Sequence, residues 1–467
     1  MSDNMVTFQT HQGLELRGTL LGLRRNQVVF ETYSPEPVLR MSEVLSSFTL
    51  RHYDQLVYSG KALVSNLLQT GPCTVCEAHL DDSLINGFGL LPSANPSQAK
   101  SSFLEFMEHW GKSYRVLPEF KTVIADIHSF LLDLRTWLEQ IELTVRSTPD
   151  GSRAALEREW MEALTPETTA AIAGLFERFE QVAAKVEPEF VPVHQALGRR
   201  MLHPLILASP FVYRTLQKPL GYAGDYEMVN MIMRDPYEGA SLFAKAFNVC
   251  ALSRPPIVAH RNRLRYLADK LTQETVRKLA AGGRAKILVI GCGPAHEVRM
   301  FLREQRCSDY VDLTLVDFDA ETLDHAGRAL ADSKRSHGRS TGIELVKKSV
   351  QQMLKQSAKI AKGTGSDQYD LIYCAGLFDY LPDPICRSLL GLFDNLLAPG
   401  GVQLVTNVAT HPSQREMEYF LEWHLIYRNP EAMKALLSPR IQPDNVSLFS
   451  EPTGINIFLE IRNPKRD

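Results

Sequence analysis

Two stretches of this chain have the residue types and spacing for chemistry. The first is "KILVIGCGPAHEV", Lys286 to Val298, in which a β-branched run breaks into Gly291-Cys292-Gly293-Pro294-Ala295 and resumes as a helix. Glycines let a ligand approach the backbone without a Cβ clash, so a strand, turn and helix of this kind form a ligand-binding turn. The next apolar run, "VDLTLVDFD", closes on Asp317 and Phe318, and a carboxylate there can accept hydrogen bonds from both hydroxyls of a ribose. Such a turn serves a dinucleotide or S-adenosylmethionine. The second stretch is "KPLGYAGDYEMVNMI", Lys218 to Ile232. Gly221 and Gly224 permit a tight backbone, while Tyr222, Asp225, Tyr226 and Glu227 offer aromatic faces and carboxylates, both of which attract a sulfonium cation. A plainer reading makes Asp225 the N-cap of a helix, with Tyr222 packed on neighbouring helices.

The elements that must position these residues follow from hydrophobic periodicity. From Ala285 onward, apolar strands alternate with helical segments: "AKILVI", "VDLTLVD", "IELVKKS", "YDLIYCAG", "GVQLVTNVA", and then "VSLFS" and "INIFLEIR" separated only by "EPTG". This pattern predicts an α/β domain with a mainly parallel sheet covered on both faces and an antiparallel hairpin at its edge. Before it, charged helical stretches run over Phe103–Ser113, Phe120–Arg146, Ser152–Leu164 and Pro166–Val186, with "STPDGSR" as the break of a helix hairpin, and predict a helical bundle. Val6 to about His79 alternates in six short β-like pieces between turn signals, as in a small antiparallel barrel, and "LPSANPSQAKSS" reads as a linker. The expected domains are a barrel over 1–95, a helical bundle over 96–202, a helical cap with the GYAGDY loop over 203–284 and the sheet domain over 285–467. The barrel is expected to be dispensable for ligand binding by the sheet domain.

Composition narrows the classes. The 467 residues are 44% apolar and 22% charged, as in a globular chain, and 51 Lys plus Arg against 54 Asp plus Glu give a formal net charge of -3. That balance offers no global attraction to nucleic acid or anionic lipid, so small-molecule or protein partners are expected. No apolar run approaches the ~20 residues of a membrane span. The polar start and the odd count of seven cysteines suit free thiols and a cytoplasmic location. Cys73 and Cys76 form a lone CxxC with His79 nearby, but no second pair completes a zinc site, and no metal is expected.

Ala295, rather than a third glycine, follows Pro294, and seven strand-like pieces end in a hairpin. In these features the region from about Ala285 to Arg462 resembles the class I S-adenosylmethionine-dependent methyltransferases, a Rossmann-like fold. The resemblance implies that Gly291, Cys292, Gly293 and Ala295 lie near the methionine moiety of S-adenosylmethionine and that Asp317 and Phe318 lie at its ribose. Ser349 and Val350 in "KKSVQQML" would meet the adenine edge, and Pro399 to Gly401 match the turn before the fifth strand. Val289 stands where the family commonly has an acidic residue, so the ligand's amino group must be recognised elsewhere, for example at the mouth of the fourth strand, Cys374 to Phe378, which includes Gly376. "GYAGD" before such a domain resembles bacterial enzymes of 3-hydroxypalmitate methyl ester biosynthesis, a quorum-sensing signal. It is also similar to shorter relatives that cyclise S-adenosylmethionine to azetidine-2-carboxylate. The N-terminal region resembles the PilZ-like barrels of bacterial signalling proteins but lacks their arginine pair and Asp/Asn-x-Ser-x-x-Gly segment.

The resemblance implies methyl transfer to a small-molecule acceptor, a fatty or hydroxy-fatty acid carboxylate, with cyclisation and a non-catalytic, ligand-gated scaffold as alternatives. A partner protein for the barrel is a further expectation. Tyr222, Asp225, Tyr226 and Asp379 are the candidate catalytic residues, with His203 and His296 as further candidates to orient an acceptor. "GLFDYLPD", Gly376 to Asp383, is expected to line the acceptor side. The aromatic segment "SQREMEYFLEWHLIYRNPEAMKALL" either caps an acyl chain, with Arg428 near its carboxylate, or packs against the bundle.

Overall fold

The computed structural model describes residues 5–81 with short gaps at 12, 25, 34–38, 53–54 and 71–72, then 116–360 and 368–464, together with residues 100, 103, 104 and 107. The linker and most of the first helical stretch lie outside the described residues. Six strands come first: β1 Met5–Gln9, β2 Glu15–Arg24, β3 Gln27–Tyr33, β4 Val44–His52, β5 Gln55–Thr70 and β6 Cys73–Leu80. Helices follow: α1 Pro118–Ser147, α2 Asp150–Ala183, α3 Val191–Ile206, α4 Pro210–Gln217, α5 Tyr226–Met233, α6 Leu242–Leu252 and α7 Pro255–Ala280. The remainder alternates as β7 Ala285–Ile290, α8 His296–Glu304, β8 Val311–Asp317, α9 Ala320–His337, β9 Gly342–Lys347, α10 Val350–Ile360, β10 Tyr369–Cys374, α11 Asp383–Leu396 and β11 Leu397–Val408. It ends with α12 Gln414–Phe420, α13 Pro430–Lys434, β12 Val446–Ser450 and β13 Asn456–Arg462.

Two compact units divide the chain, each discontinuous in sequence. One comprises 1–223, 234–254 and 412–424. Its strands close into a barrel in the order β1-β2-β3-β6-β5-β4, all neighbours antiparallel, which leaves no open sheet edge. Alternate residues point inward, so Val6, Phe8, Phe30, Phe48, Leu50 and Tyr58 fill the barrel. The barrel is not independent of the helices. Val44 N–H donates to Gly221 O at 2.8 Å, and Ser42 Oγ bonds the backbone of His424.

The helices pair α1 with α2 across the expected break. The Ser152–Leu164 and Pro166–Val186 stretches are one 34-residue helix, and Pro166 does not end it. A proline deletes only one backbone hydrogen bond here, at Glu162 O on an exposed face that water can reach, and packing of the flanking apolar stripe outweighs that loss. The aromatic segment after β11 divides: 412–424 belongs to this unit, where α12 inserts Tyr419 and Phe420 among Phe120, Phe176 and Phe179, with Phe179 and Phe420 ring centroids 4.9 Å apart. Residues 412–424 therefore pack against the bundle, the second of the two expectations for this segment.

The second unit, 224–233, 255–411 and 425–467, is built on a seven-stranded sheet in the order β12-β13-β11-β10-β7-β8-β9. β9, β8, β7, β10 and β11 are parallel, and β13 enters antiparallel between β11 and β12. β7 and β10 are buried almost throughout, as both-face coverage requires. Strand order reverses between β7 and β10, and in open α/β sheets the crevice at the carboxyl ends beside such a switch point is where ligands bind. Among the described residues no helix is long and apolar enough to cross a membrane.

Candidate active site at the carboxyl edge of the sheet

The turn after β7 lies at that switch point. Gly291, Gly293 and Ala295 all have left-handed backbone, with φ of 67°, 52° and 52°. Gly291 and Cys292 N–H both donate to Val316 O, which ties the turn to the end of β8. A Cβ on Gly293 would meet no atom within 4 Å, so glycine at this position answers to the backbone conformation and leaves open space in front of the turn. Asp317, only 7% exposed, stands opposite: its Oδ2 accepts from Gly293 N–H at 3.1 Å and its Oδ1 from Asp319 N–H at 3.2 Å. These bonds aim the carboxylate along the turn. Phe318 follows it, and Asp319 caps α9 through Thr322 N–H. The turn and carboxylate thus fit a ribose-bearing ligand.

Burial pushes the Cys292 thiol well up, with Asp317 adding to the effect, and raises that of Cys374, so neither is a nucleophile at neutral pH. Ser349 and Gln352 make a reciprocal cap at the start of α10, where Val350 packs into the core beneath the sheet edge. Gly376, with φ 84°, donates its N–H to Thr406 Oγ1. Asp379 is buried and accepts from Val408 N–H at 2.6 Å. Burial raises its pKa, while the guanidinium of Arg263 opposes that shift.

The division between units falls inside GYAGDY, between Ala223 and Gly224. Tyr222 belongs with the barrel, its ring 6.1 Å from that of His11. Asp225 and Tyr226 belong with the sheet. Asp225 Oδ1 accepts from Met228 N–H at 2.8 Å, so it caps α5, while Tyr226 donates to Glu321 Oε1 at 2.7 Å and lies 4.7 Å from the His325 ring. Asn230 joins His296 Nε2 at 2.9 Å and His325 Nε2 at 3.1 Å. α5 therefore leans on the first turns of α8 and α9, the helices that begin just after the glycine turn and Asp317. Burial lowers the pKa of His296 to about 4, which keeps it a neutral partner in this network. His203 belongs to the other unit, where it bonds Phe420 O.

Arg428 is not free to hold a substrate carboxylate. Its five N–H groups are committed to Asp383 Oδ1, Phe378 O, Asn407 Oδ1 and Leu381 O, which makes it a clamp for the loop after β10. A different arginine sits at the site. Arg263 of α7, buried, donates to Asn456 Oδ1 at 3.1 Å and to His260 Nδ1 at 3.0 Å, while its Nε has no partner. Because His260 accepts at Nδ1, its neutral ring carries the proton on Nε2, and that shielded N–H also lacks a partner. Burial holds the His260 pKa well below the usual range, with Arg263 reinforcing the shift. A Cβ on Gly376 would come within 2.9 Å of Arg263 Nη2, so glycine there makes room for the guanidinium. Nearby, Glu297 of α8 accepts from Tyr373 Oη at 2.8 Å, and burial raises its pKa. Sequence reasoning missed Arg263, although a signal exists: Ala259, Arg263, Leu267 and Leu271 recur every four residues on the buried face of α7, a cation within an apolar stripe.

Residues 288–403 match the family model of the methyltransferase domain. No curated protein sequence matches the chain. Among solved structures, a possible exported protein from Bordetella parapertussis is 18% identical over 68% of this chain and 99% of that chain, with a TM-score of 0.39. The magnesium protoporphyrin IX methyltransferase of Synechocystis PCC 6803 with bound S-adenosylhomocysteine is 10% identical over 51% and 94%, with a TM-score of 0.34. An N-methyltransferase from Bradyrhizobium japonicum, in complex with S-adenosylhomocysteine, is 17% identical over 42% and 87%, with a TM-score of 0.27. The match over 288–403 covers the glycine turn and the opposed Asp317, so this stretch of the sheet is a methyltransferase domain.

Proposed function

We propose that the enzyme methylates a small-molecule acceptor, the carboxylate of a fatty or hydroxy-fatty acid. The observation that carries this reading is a pair of shielded donors with no acceptor of their own: Arg263 Nε–H, whose guanidinium lies against Gly376, and Nε2–H of His260, which is bonded to Arg263. A buried cation and N–H left without acceptors are costly, and an anionic ligand group relieves both. S-adenosylmethionine, when bound, supplies an electrophilic methyl group. Gly291, Cys292, Gly293 and Ala295 would hold its methionine portion, Asp317 and Phe318 its ribose, and Ser349 and Val350 its adenine edge. Cys374 and Gly376 would complete the wall. On the acceptor side, Asp379 helps set the charge balance around Arg263, and Asp225 and Tyr226 would close the site around the sulfonium. A carboxylate acceptor is already ionised at neutral pH and needs no general base, which suits a region whose imidazoles, His260 and His296, are both tied into hydrogen bonds. The barrel, lacking a cyclic-dinucleotide segment, is read as a PilZ-like structural module.

The test is incubation of the full chain with methyl-labelled S-adenosylmethionine and a panel of long-chain acids that includes 3-hydroxypalmitate. Labelled methyl ester with S-adenosylhomocysteine is the expected outcome. Methylthioadenosine released without any acceptor would replace this reading with cyclisation. Label in an alcohol or amine but in no acid would overturn the acceptor class. Arg263→Gln should raise KM for the acid by about tenfold or more while cofactor affinity holds. A weakened cofactor with an unchanged acid KM would assign Arg263 to the methionine carboxylate instead.

A further inference from the structure

A second group of ionisable side chains lies wholly within the barrel and bundle unit, and methyl transfer makes no use of it. It gathers His79 from β6, Arg199 and His203 from α3, Lys218 just after α4, and Glu422 and His424 from the segment after α12. Part of the cluster has a structural explanation. Arg199 donates to Tyr419 O at 2.6 Å and pairs with Glu422, His203 bonds Phe420 O at 3.0 Å, and Lys218 Nζ bonds Leu421 O at 2.9 Å, so these groups satisfy carbonyls at the end of α12.

That explanation leaves a remainder. His79 Nδ1 and His424 Nε2 are shielded from solvent and have no partner, with the two rings edge to face at 5.5 Å. Arg199 pairs with Glu422, and buried Lys218, bonded only to carbonyls, feels the same carboxylate electrostatically. The positive potential is felt at both imidazoles: Arg199 lowers the pKa of His79, and Lys218 and Arg199 both lower that of His424, in addition to burial. A metal ion would be repelled by that potential, and among the described residues no group of three His, Cys, Asp or Glu side chains could hold one. Lys218 and Glu422 also carry left-handed backbone, φ 45° and 49°, as does Ser42, φ 56°, which bonds His424, so three of the non-glycine residues with positive φ meet here. Such conformations cost energy and persist where surrounding structure holds a site in place. The side chains of Arg199 and Glu422 remain 21% and 24% exposed, which leaves a way in from solvent.

We propose that His79, Lys218, Arg199 and His424 form a binding site for a small oxyanion, a carboxylate or phosphate group. The anion neutralises the surplus cation and accepts from Lys218 Nζ, and from His79 Nδ1 and His424 Nε2 in the tautomers that place the ring proton on those nitrogens. Burial lowers the Lys218 pKa to about 8, with Glu422 opposing and Arg199 reinforcing the shift. The anion therefore binds below that pH, where Lys218 is charged, and is lost as pH rises through it.

Calorimetric titration of the full chain with sodium phosphate, and separately with sodium acetate, against sodium chloride at equal ionic strength tests the site. Saturable binding of one oxyanion is expected. It should be tenfold or more weaker in Lys218→Gln and in His424→Phe, and weaker at about pH 9 than at about pH 7. Preference for phosphate or for acetate identifies the source of the oxyanion. Absence of saturable binding to both overturns the proposal, as does binding that the folded variants leave unchanged. If Lys218→Gln does not fold, His79→Phe and His424→Phe carry the same comparison, since an aromatic ring in either place keeps the edge-to-face packing.

Discussion

Asp317 is held by backbone on both sides. It spends one oxygen on Gly293 N–H and the other on Asp319 N–H, which fixes its orientation beside the glycine turn. Asp317→Ala should weaken S-adenosylmethionine by about 1.5 to 3 kcal/mol, roughly ten- to a hundredfold, measured by calorimetry. Unchanged affinity in a folded variant would remove Asp317 from the site. Asp225 serves a different test, because its side chain caps α5. Asparagine caps as well as aspartate, so Asp225→Asn should keep the melting temperature while turnover falls by about tenfold if its charge faces the sulfonium. Turnover equal to that of the parent would leave Asp225 as a cap alone.

At the scale of elements, the loop after β10 is fitted around α7. Gly376→Ala would force a Cβ to 2.9 Å from Arg263 Nη2 at a φ of 84°, two penalties at once. We expect it to lose about 1 to 3 kcal/mol of stability and to lower activity, read by denaturant melts beside turnover. The contact between α2 and the segment that carries α12 is pH-sensitive. Glu180, buried, accepts from Glu416 N–H at 2.7 Å, and burial raises its pKa to about 7. A carboxyl whose folded pKa lies above its unfolded value contributes its stability at low pH and loses it as pH rises, here between about 4.5 and about 7. Glu180→Gln should therefore melt a few degrees higher than the parent at about pH 8 and alike at about pH 5. Equal melting at both pH values would show that Glu180 ionises freely.

For the whole molecule, the barrel's ties to Gly221 and His424 change what truncation should do. A chain starting near Ser97 would lose the barrel's bonds to Gly221 and His424 and the ring contacts of His11 with Tyr222 and of His79 with His424. We expect it to be poorly soluble or to melt well below the full chain. A soluble, cooperatively melting product that binds S-adenosylmethionine normally would show that the barrel is dispensable after all.

How much was legible follows from the range of the interactions. Runs of β-branched residues, glycines that need left-handed backbone and an acid closing the next strand are local patterns. The six barrel strands, the seven-stranded sheet, the glycine turn and Asp317 could therefore be read from residues a few places apart. Pro166 misled because propensity is local, while packing along a 34-residue helix is not. Arg428 and Arg263 are equivalent as letters. Only the fold could decide that the first has all its donors consumed by a loop and that the second stands buried with an N–H to spare. The same holds for His79 and His424, 345 positions apart in the chain, and for the division of GYAGDY between two compact units. Charge and hydrogen-bond satisfaction depend on what surrounds a group in space, and that is settled by tertiary structure.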